Sequence, residues 1–202
     1  FEKILNDVRV EFYAIDTNLY CSKYLLEEAV EQESYLLNKL KQSPDDNCWR
    51  IIFGHHPWRS TGFHGHCNIL LESFLDKMHQ TKKIDLYISG HDHDNQHISV
   101  PDKPHMLISG TGAKTRYIPK TYRDLKSYYY DNYLLHYSEN PGFINLNFSI
   151  DELEVEIYSL NNYPKSNGIL NYYLNYGECL INNEESREYK YIIKRVKTNS
   201  KF

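Results

Sequence analysis

Apolar positions along the chain fall into two periodicities. Val8–Ile15 alternates in part and predicts a strand, whereas Ala29, Tyr35, Leu36, Leu37 and Leu40 recur at helical spacing and predict a helix from about Leu25 to Lys41. Ser43-Pro44-Asp45-Asp46-Asn47 is a stop and turn signal, and the mostly apolar run Cys48–Phe53 predicts a buried strand. Leu71, Phe74, Leu75 and Met78 then predict a second helix over Asn68–Gln80, followed by a strand over Ile84–Ser89. Short strands are expected near Gln96–Val100 and His105–Ser109. The polar, tyrosine-rich stretch from Ala113 to Pro141 reads as loops with one helical turn. Gly142–Ile150 and Leu153–Ser159 predict a hairpin around Asp151-Glu152. Residues 160–185 carry no clear period, and Tyr189–Val196 predicts a last strand. Strand, helix, strand, helix, strand is the signature of an α/β fold with crossover connections, and neither a repeat nor a linker divides it.

Composition narrows the function. A chain of 202 residues suits one domain with a core. The net charge is −4 and there is no basic stripe, so nucleic acid is not an expected partner. No run of 18 apolar residues encodes a membrane span. The 19 tyrosines are assigned to codon bias and given no functional weight. The chain enters a strand almost at once after Phe1 with no signal-peptide pattern, and residues upstream of Phe1 are expected to be missing.

Nine of the ten histidines lie between His55 and His105. The strand Cys48–Phe53 ends in Gly54-His55-His56-Pro57, and the strand Ile84–Ser89 ends in Gly90-His91-Asp92-His93. Strand ends hold side chains better than loops do, and ligands of α/β sheets gather at carboxyl ends of strands. If residues 91–93 stay extended, His91 and His93 share a face. Imidazole is a common ligand for transition metals, so the pattern points to a metal centre. Asp92, between two candidate ligands, either supports one of them or faces solvent. A zinc site from His64, His66 and Cys67 has suitable ligand types but no fourth ligand at a suitable spacing.

These residues resemble the calcineurin-like metallophosphoesterases, and within them the small purple acid phosphatases of the tartrate-resistant type. Gly54-His55-His56-Pro57 resembles the family's Gly-His-x-Pro, and Gly90-His91-Asp92-His93 with Gln96 resembles its Gly-His-Asp-His-x-x-Gln. Phe63-His64-Gly65, Ile108-Ser109-Gly110-Thr111-Gly112 and Gln32-Glu33-Ser34-Tyr35-Leu36 are similar to neighbouring family segments. The resemblance implies an α/β fold that is part of a four-layer α/β/β/α sandwich. Residues 1–202 would be the C-terminal part of one such domain, with 1–160 the matching part and 161–202 a divergent segment. It implies a two-metal hydrolase of phosphate monoesters with a metal-bridging hydroxide as nucleophile. His55 and His91 would bind the second, divalent metal and His93 the first. The two ions would be iron with iron, zinc or manganese. His64 would bind the substrate phosphate and protonate the leaving alkoxide. It further implies a Cys21–Cys67 disulfide, worth about 4 kcal/mol in the chain-entropy model, and with it a secreted, lysosomal or periplasmic setting.

The family's first-half motifs, of the types Asp-x-Gly, Gly-Asp-x-x-Tyr and Gly-Asn-His, have no counterpart among the metal-ligand positions of this chain. The N-terminal half of the domain is therefore expected as the missing partner, with a phosphorylated small molecule or phosphoprotein as substrate, and the chain alone is expected to be inactive. A second function class is a non-catalytic interaction module on the same fold. The presence of every second-half histidine, His64 included, argues against it. A phosphodiesterase or nucleotide hydrolase would share the metal chemistry.

Overall fold

A computed structural model describes residues 1–5, 8–21, 25–44, 48–112, 115–116, 133–159 and 187–195. Its strands are β1 (Glu2–Leu5), β2 (Val8–Ala14), β3 (Cys48–Phe53), β4 (Leu86–Ser89), β5 (Asn95–Ser99), β6 (His105–Ser109), β7 (Leu134–Ser138), β8 (Gly142–Phe148), β9 (Glu152–Ser159) and β10 (Arg187–Lys194). Helix α1 spans Leu26–Gln42, α2 spans Ile69–Thr81, and a single 3₁₀ turn covers Thr17–Tyr20. One sheet has seven strands in the order β1-β2-β3-β4-β6-β5-β7, and a second has the order β10-β9-β8. Strands β2, β3, β4 and β6 run parallel, as crossover connections through α1 and α2 require.

Strand alternation sorts the core into two clusters on opposite faces of the large sheet. Ile52, Tyr87 and Met106 face the helices and pack with Leu36, Leu40, Leu71, Phe74 and Leu75. Ile51, Leu86 and Leu107 face the small sheet and pack with Phe148, Leu153, Val155 and Ile193. Burial on both faces explains why these central strands read as nearly continuous apolar runs. The result is three layers, helices on sheet on sheet, consistent with the mixed α/β fold expected from the sequence. Trp49 ties two of the layers: its Nε1 donates to the Ser149 carbonyl at 2.7 Å while its ring meets Phe148 edge-on.

Both helices follow their sequence signals. The Asn68 side chain caps α2 by accepting from the backbone N–H groups of Leu70 and Leu71, each at 3.0 Å. Acidic Glu27 and Glu28 begin α1 and basic Lys39 and Lys41 end it, matching the helix dipole. Tyr35 is the exception on the expected apolar face of α1: it is exposed, with the Lys39 ammonium 5.7 Å from its ring centre. The hairpin β8–β9 and the last strand β10 lie where the sequence places them, whereas β7 occupies part of a segment read as loop. Expectations for residues 160–186 and for the loop after Arg116 lie outside the described residues.

Candidate metal centre

Three parallel strand ends converge. Strand β3 pairs with β4 through Ile51–Leu86, Ile52–Tyr87 and Phe53–Ile88, so the two glycine–histidine motifs emerge side by side. Backbone bonds extend the ladder into the motifs: Gly54 donates to Ile88 at 3.0 Å and Gly90 donates to His55 at 3.2 Å. On the other flank β2 pairs with β3, and Ile15 donates to Phe53 at 3.0 Å, which brings Thr17 beside His56.

The imidazoles of His55, His56 and His91 offer ligand atoms that all lie within 4.8 Å of one another. His91 Nδ1 and His55 Nε2 are 2.9 Å apart, a hydrogen bond that needs a proton on one ring nitrogen and a lone pair on the other. The His64 ring lies against His91 with centroids 4.1 Å apart. Burial, followed by the neighbouring His64, His56 and His55 rings, pushes the His91 imidazole down to about 4, which keeps it neutral and able to ligate. His56 is pushed down too, first by burial and then by His55. Three imidazoles are a donor set for one borderline transition-metal ion. Among the described residues no carboxylate or thiolate joins the three, so the cluster fits one ion and not two.

Asp92 is the framework of the loop that carries these rings. It is fully buried, accepts from the His64 backbone N–H at 2.8 Å, and accepts from the Ser60 hydroxyl. Ser60 Oγ in turn accepts from Gly62 N–H at 2.9 Å and from Gln96 Nε2 at 3.0 Å. Gln96 turns its Oε1 to the Thr61 N–H at 2.9 Å, which fixes the orientation of its amide. The Gln of the Gly-His-Asp-His-x-x-Gln motif is thus part of the scaffold under the histidines. Close backbone approach requires glycine here: a Cβ at Gly110 would meet the Asp92 carbonyl oxygen at 1.6 Å, and one at Gly62 would meet Asp92 Cγ at 2.5 Å.

Several sequence expectations change. Residues 91–94 are not extended: His91 has φ 65°, and the Asp92 N–H donates back to the Gly90 carbonyl at 2.8 Å, closing a γ-type turn. His93 is outside the cluster formed by His55, His56 and His91, whose third imidazole is His56. The His93 backbone carbonyl accepts from Arg116 N at 3.1 Å. Cys21 and Cys67 are free thiols, not a disulfide. Cys67 Sγ is turned to the Trp58 carbonyl at 3.4 Å, and Cys21 Sγ lies near the Thr17 carbonyl at 3.6 Å and His56 Nε2 at 3.8 Å. Burial pushes the Cys67 thiol up to about 12. His64, His66 and Cys67 form no cluster of ligand atoms among the described residues; His66 Nδ1 accepts from Ser60 N–H at 3.0 Å instead.

Sequence reasoning missed two participants. His56 was visible only as the variable position of its motif. Arg116 places Nη1 3.2 Å from His64 Nε2 and stacks on Phe63 with its guanidinium 4.3 Å from the ring centre. A guanidinium beside an imidazole at a cluster of metal-type ligands is suited to an anionic oxygen group. Cys21, His56, His64, Cys67 and His91 line a cavity of about 140 Å³ here. A larger groove of about 580 Å³, between β1, β2 and α1, is lined by other residues and holds none of these histidines.

Residues 8–95 match the calcineurin-like phosphoesterase family. Purple acid phosphatase 3 of Arabidopsis thaliana is 30% identical over 179 residues, covering 78% of this chain and 45% of that protein. Purple acid phosphatase 17 of the same plant is 32% identical over 170 residues, covering 75% of this chain and 48% of that protein. Among solved structures, the purple acid phosphatase PPD1 from yellow lupin (Lupinus luteus) seeds aligns with TM-score 0.58 at 15% identity, covering 74% of this chain and 28% of that one. The anchor in the inner membrane complex of Plasmodium aligns with TM-score 0.64 at 21% identity, covering 79% of this chain and 48% of that one. The structural likenesses concern the fold alone. The chain spans about half the length of the curated relatives it matches.

Proposed function

We propose, for a chain that belongs to the calcineurin-like phosphoesterases and is similar to purple acid phosphatases over about three quarters of its length, that it contributes the second half of a two-metal phosphomonoesterase site. The observation that carries the reading is the convergence of His55, His91 and His64 at adjacent strand ends, with His55 and His91 in ring-to-ring contact. In this reading His55 and His91 hold the divalent ion, and His93 contributes to the other ion together with residues of an upstream half. Bound metal would supply the activated nucleophile and the charge that phosphoryl displacement requires. Iron and zinc suit the imidazole donors of this chain, and manganese in the second position would draw on oxygen ligands of the upstream half.

The chain's own groups do the rest. Arg116 and His64 bind the phosphate oxygens from one side, and His64 gives its proton to the departing alkoxide. The Asp92 carboxylate, through the His64 backbone N–H, holds that ring against His91. The substrate class is a phosphorylated small molecule or a phosphoprotein, and a secreted, lysosomal or periplasmic setting has its support in the similarity to purple acid phosphatases rather than in a disulfide. Among the described residues no helix is long and apolar enough to cross a membrane. The reading is tested by reconstituting the domain with an upstream half and replacing His64. His64→Ala should lower turnover of an aryl phosphate at least about 100-fold, the scale of a lost general acid, while metal content stays near the parent's. A parallel loss of metal and turnover would remove the acid role, and no turnover in the reconstituted parent would sink the reading.

A further inference from the structure

We propose that His56 is a metal ligand: with His55 and His91 it forms a three-imidazole site in which this chain, without an upstream half, holds one borderline divalent cation of the zinc or cobalt(II) class. The inference rests on the proposed function for His55 and His91, whereas the part given to His56 stands on geometry. Tetrahedral zinc with bonds of about 2.05 Å separates its nitrogen ligands by roughly 3.3 Å. The three ligand atoms already lie within 4.8 Å of one another, and the closest resolved pair is at 2.9 Å. The hydrogen bond of that pair uses one ring's N–H, and metal binding would move that proton to the same ring's other nitrogen, so that both lone pairs face the cation.

His56 is oriented for the role. Thr17 Oγ1, fully buried, lies 2.7 Å from His56 Nδ1 and also accepts from the His56 backbone N–H at 3.1 Å. The ring's Nδ1–H can donate a hydrogen bond to the same oxygen that accepts from the His56 backbone N–H, leaving the Nε2 lone pair for the ion. A hydrogen bond at the far nitrogen is the arrangement that fixes tautomer and ring direction in histidine ligands. The Tyr87 hydroxyl, donating to the His56 carbonyl at 2.6 Å, locks the backbone beneath. The fourth position opens on the cavity lined by His56, His64, His91 and Cys21, leaving room for an exchangeable ligand.

The test is calorimetric titration of Zn²⁺ into this 202-residue chain, followed by Co²⁺ substitution and proton NMR. The parent should bind one equivalent. His56→Asn keeps an oxygen for the Thr17 contact but removes Nε2, and should weaken binding at least about 100-fold. In the Co²⁺ form, the hyperfine-shifted N–H signal of the ring proton that Thr17 holds should vanish in His56→Asn. Binding within twofold of the parent in a folded His56→Asn, or no binding by the folded parent, overturns the inference. If His56→Asn does not fold, the parent alone decides the matter: Zn²⁺ should block diethyl pyrocarbonate modification of His56, and unchanged modification overturns the claim. Loss of binding in His55→Asn and His91→Asn with none in His56→Asn would overturn this inference and leave the proposed function standing.

Discussion

Replacing Asp92 by Asn tests whether the loop beneath the histidines is held by a carboxylate. Asp92 accepts from two donors, the His64 N–H at 2.8 Å and the Ser60 hydroxyl. The Ser60 proton cannot turn elsewhere, because its oxygen already accepts from Gly62 N–H and Gln96 Nε2. Gln96 cannot flip without setting its amide nitrogen against the Thr61 N–H. An asparagine supplies one acceptor and, in either orientation, turns an NH₂ group toward a donor. The change removes one charge-assisted bond and leaves a buried donor unpaired, which together cost about 2–4 kcal/mol. Urea unfolding followed by circular dichroism should show that loss with an unchanged slope. In Asp92→Asn the His64 resonances should also shift, because the backbone N–H that positions the ring has lost its partner. A loss under about 0.5 kcal/mol, the range of an ordinary surface change, would refute the account of this loop.

Two further outcomes follow from the same packing. Gly110→Ala drives a Cβ into the Asp92 carbonyl oxygen, 1.6 Å away on rigid backbone, and should prevent accumulation of folded protein or cost more than about 4 kcal/mol; near-parent stability would contradict the loop geometry. His97 is fully buried, with its Nε2 2.9 Å from His105 Nδ1 and its Nδ1 3.1 Å from the Tyr189 hydroxyl, which links the two sheets. Burial, with neighbouring His105 and His136, pushes His97 from 6.5 down to about 3, so the folded protein holds fewer protons than the unfolded chain between those values. Its contribution is complete above pH 6.5 and falls as pH drops toward 3, by about 1.4 kcal/mol per pH unit. Unfolding free energies measured between pH 7.5 and 5 should decline less steeply in His97→Gln than in the parent, and equal slopes would refute this.

The legible parts of the fold were those where one physical signal dominates. Cys48–Phe53 and His105–Ser109 were placed to the residue because burial on both faces leaves short apolar runs between turn residues. β7 was missed: Leu134, His136 and Tyr137 are only partly buried and Leu135 is exposed, so no apolar period marks a strand that exists because β5 pairs with it. Edge strand β1 was missed for the same reason, with Glu2, Lys3 and Ile4 all exposed. At the site, the two glycine–histidine motifs could be read because each ends a strand. Their adjacency follows from crossover topology. The contributions of Thr17 and Arg116 were not legible, since each meets its histidine across a long sequence separation, 39 residues for Thr17 and His56 and 52 for Arg116 and His64. The turn at residues 91–94 was not legible, because the left-handed backbone at His91 comes with the packing of Asp92 between Gly62 and Gly110, which no local pattern announces.

The decisive measurement is hydrolysis of p-nitrophenyl phosphate by the domain reconstituted with an upstream half, with and without chelator and in parallel with His91→Asn. The account predicts metal-dependent turnover that disappears on chelation and in the folded His91→Asn protein. Turnover that survives both, or a folded, metal-loaded domain with none, would contradict it.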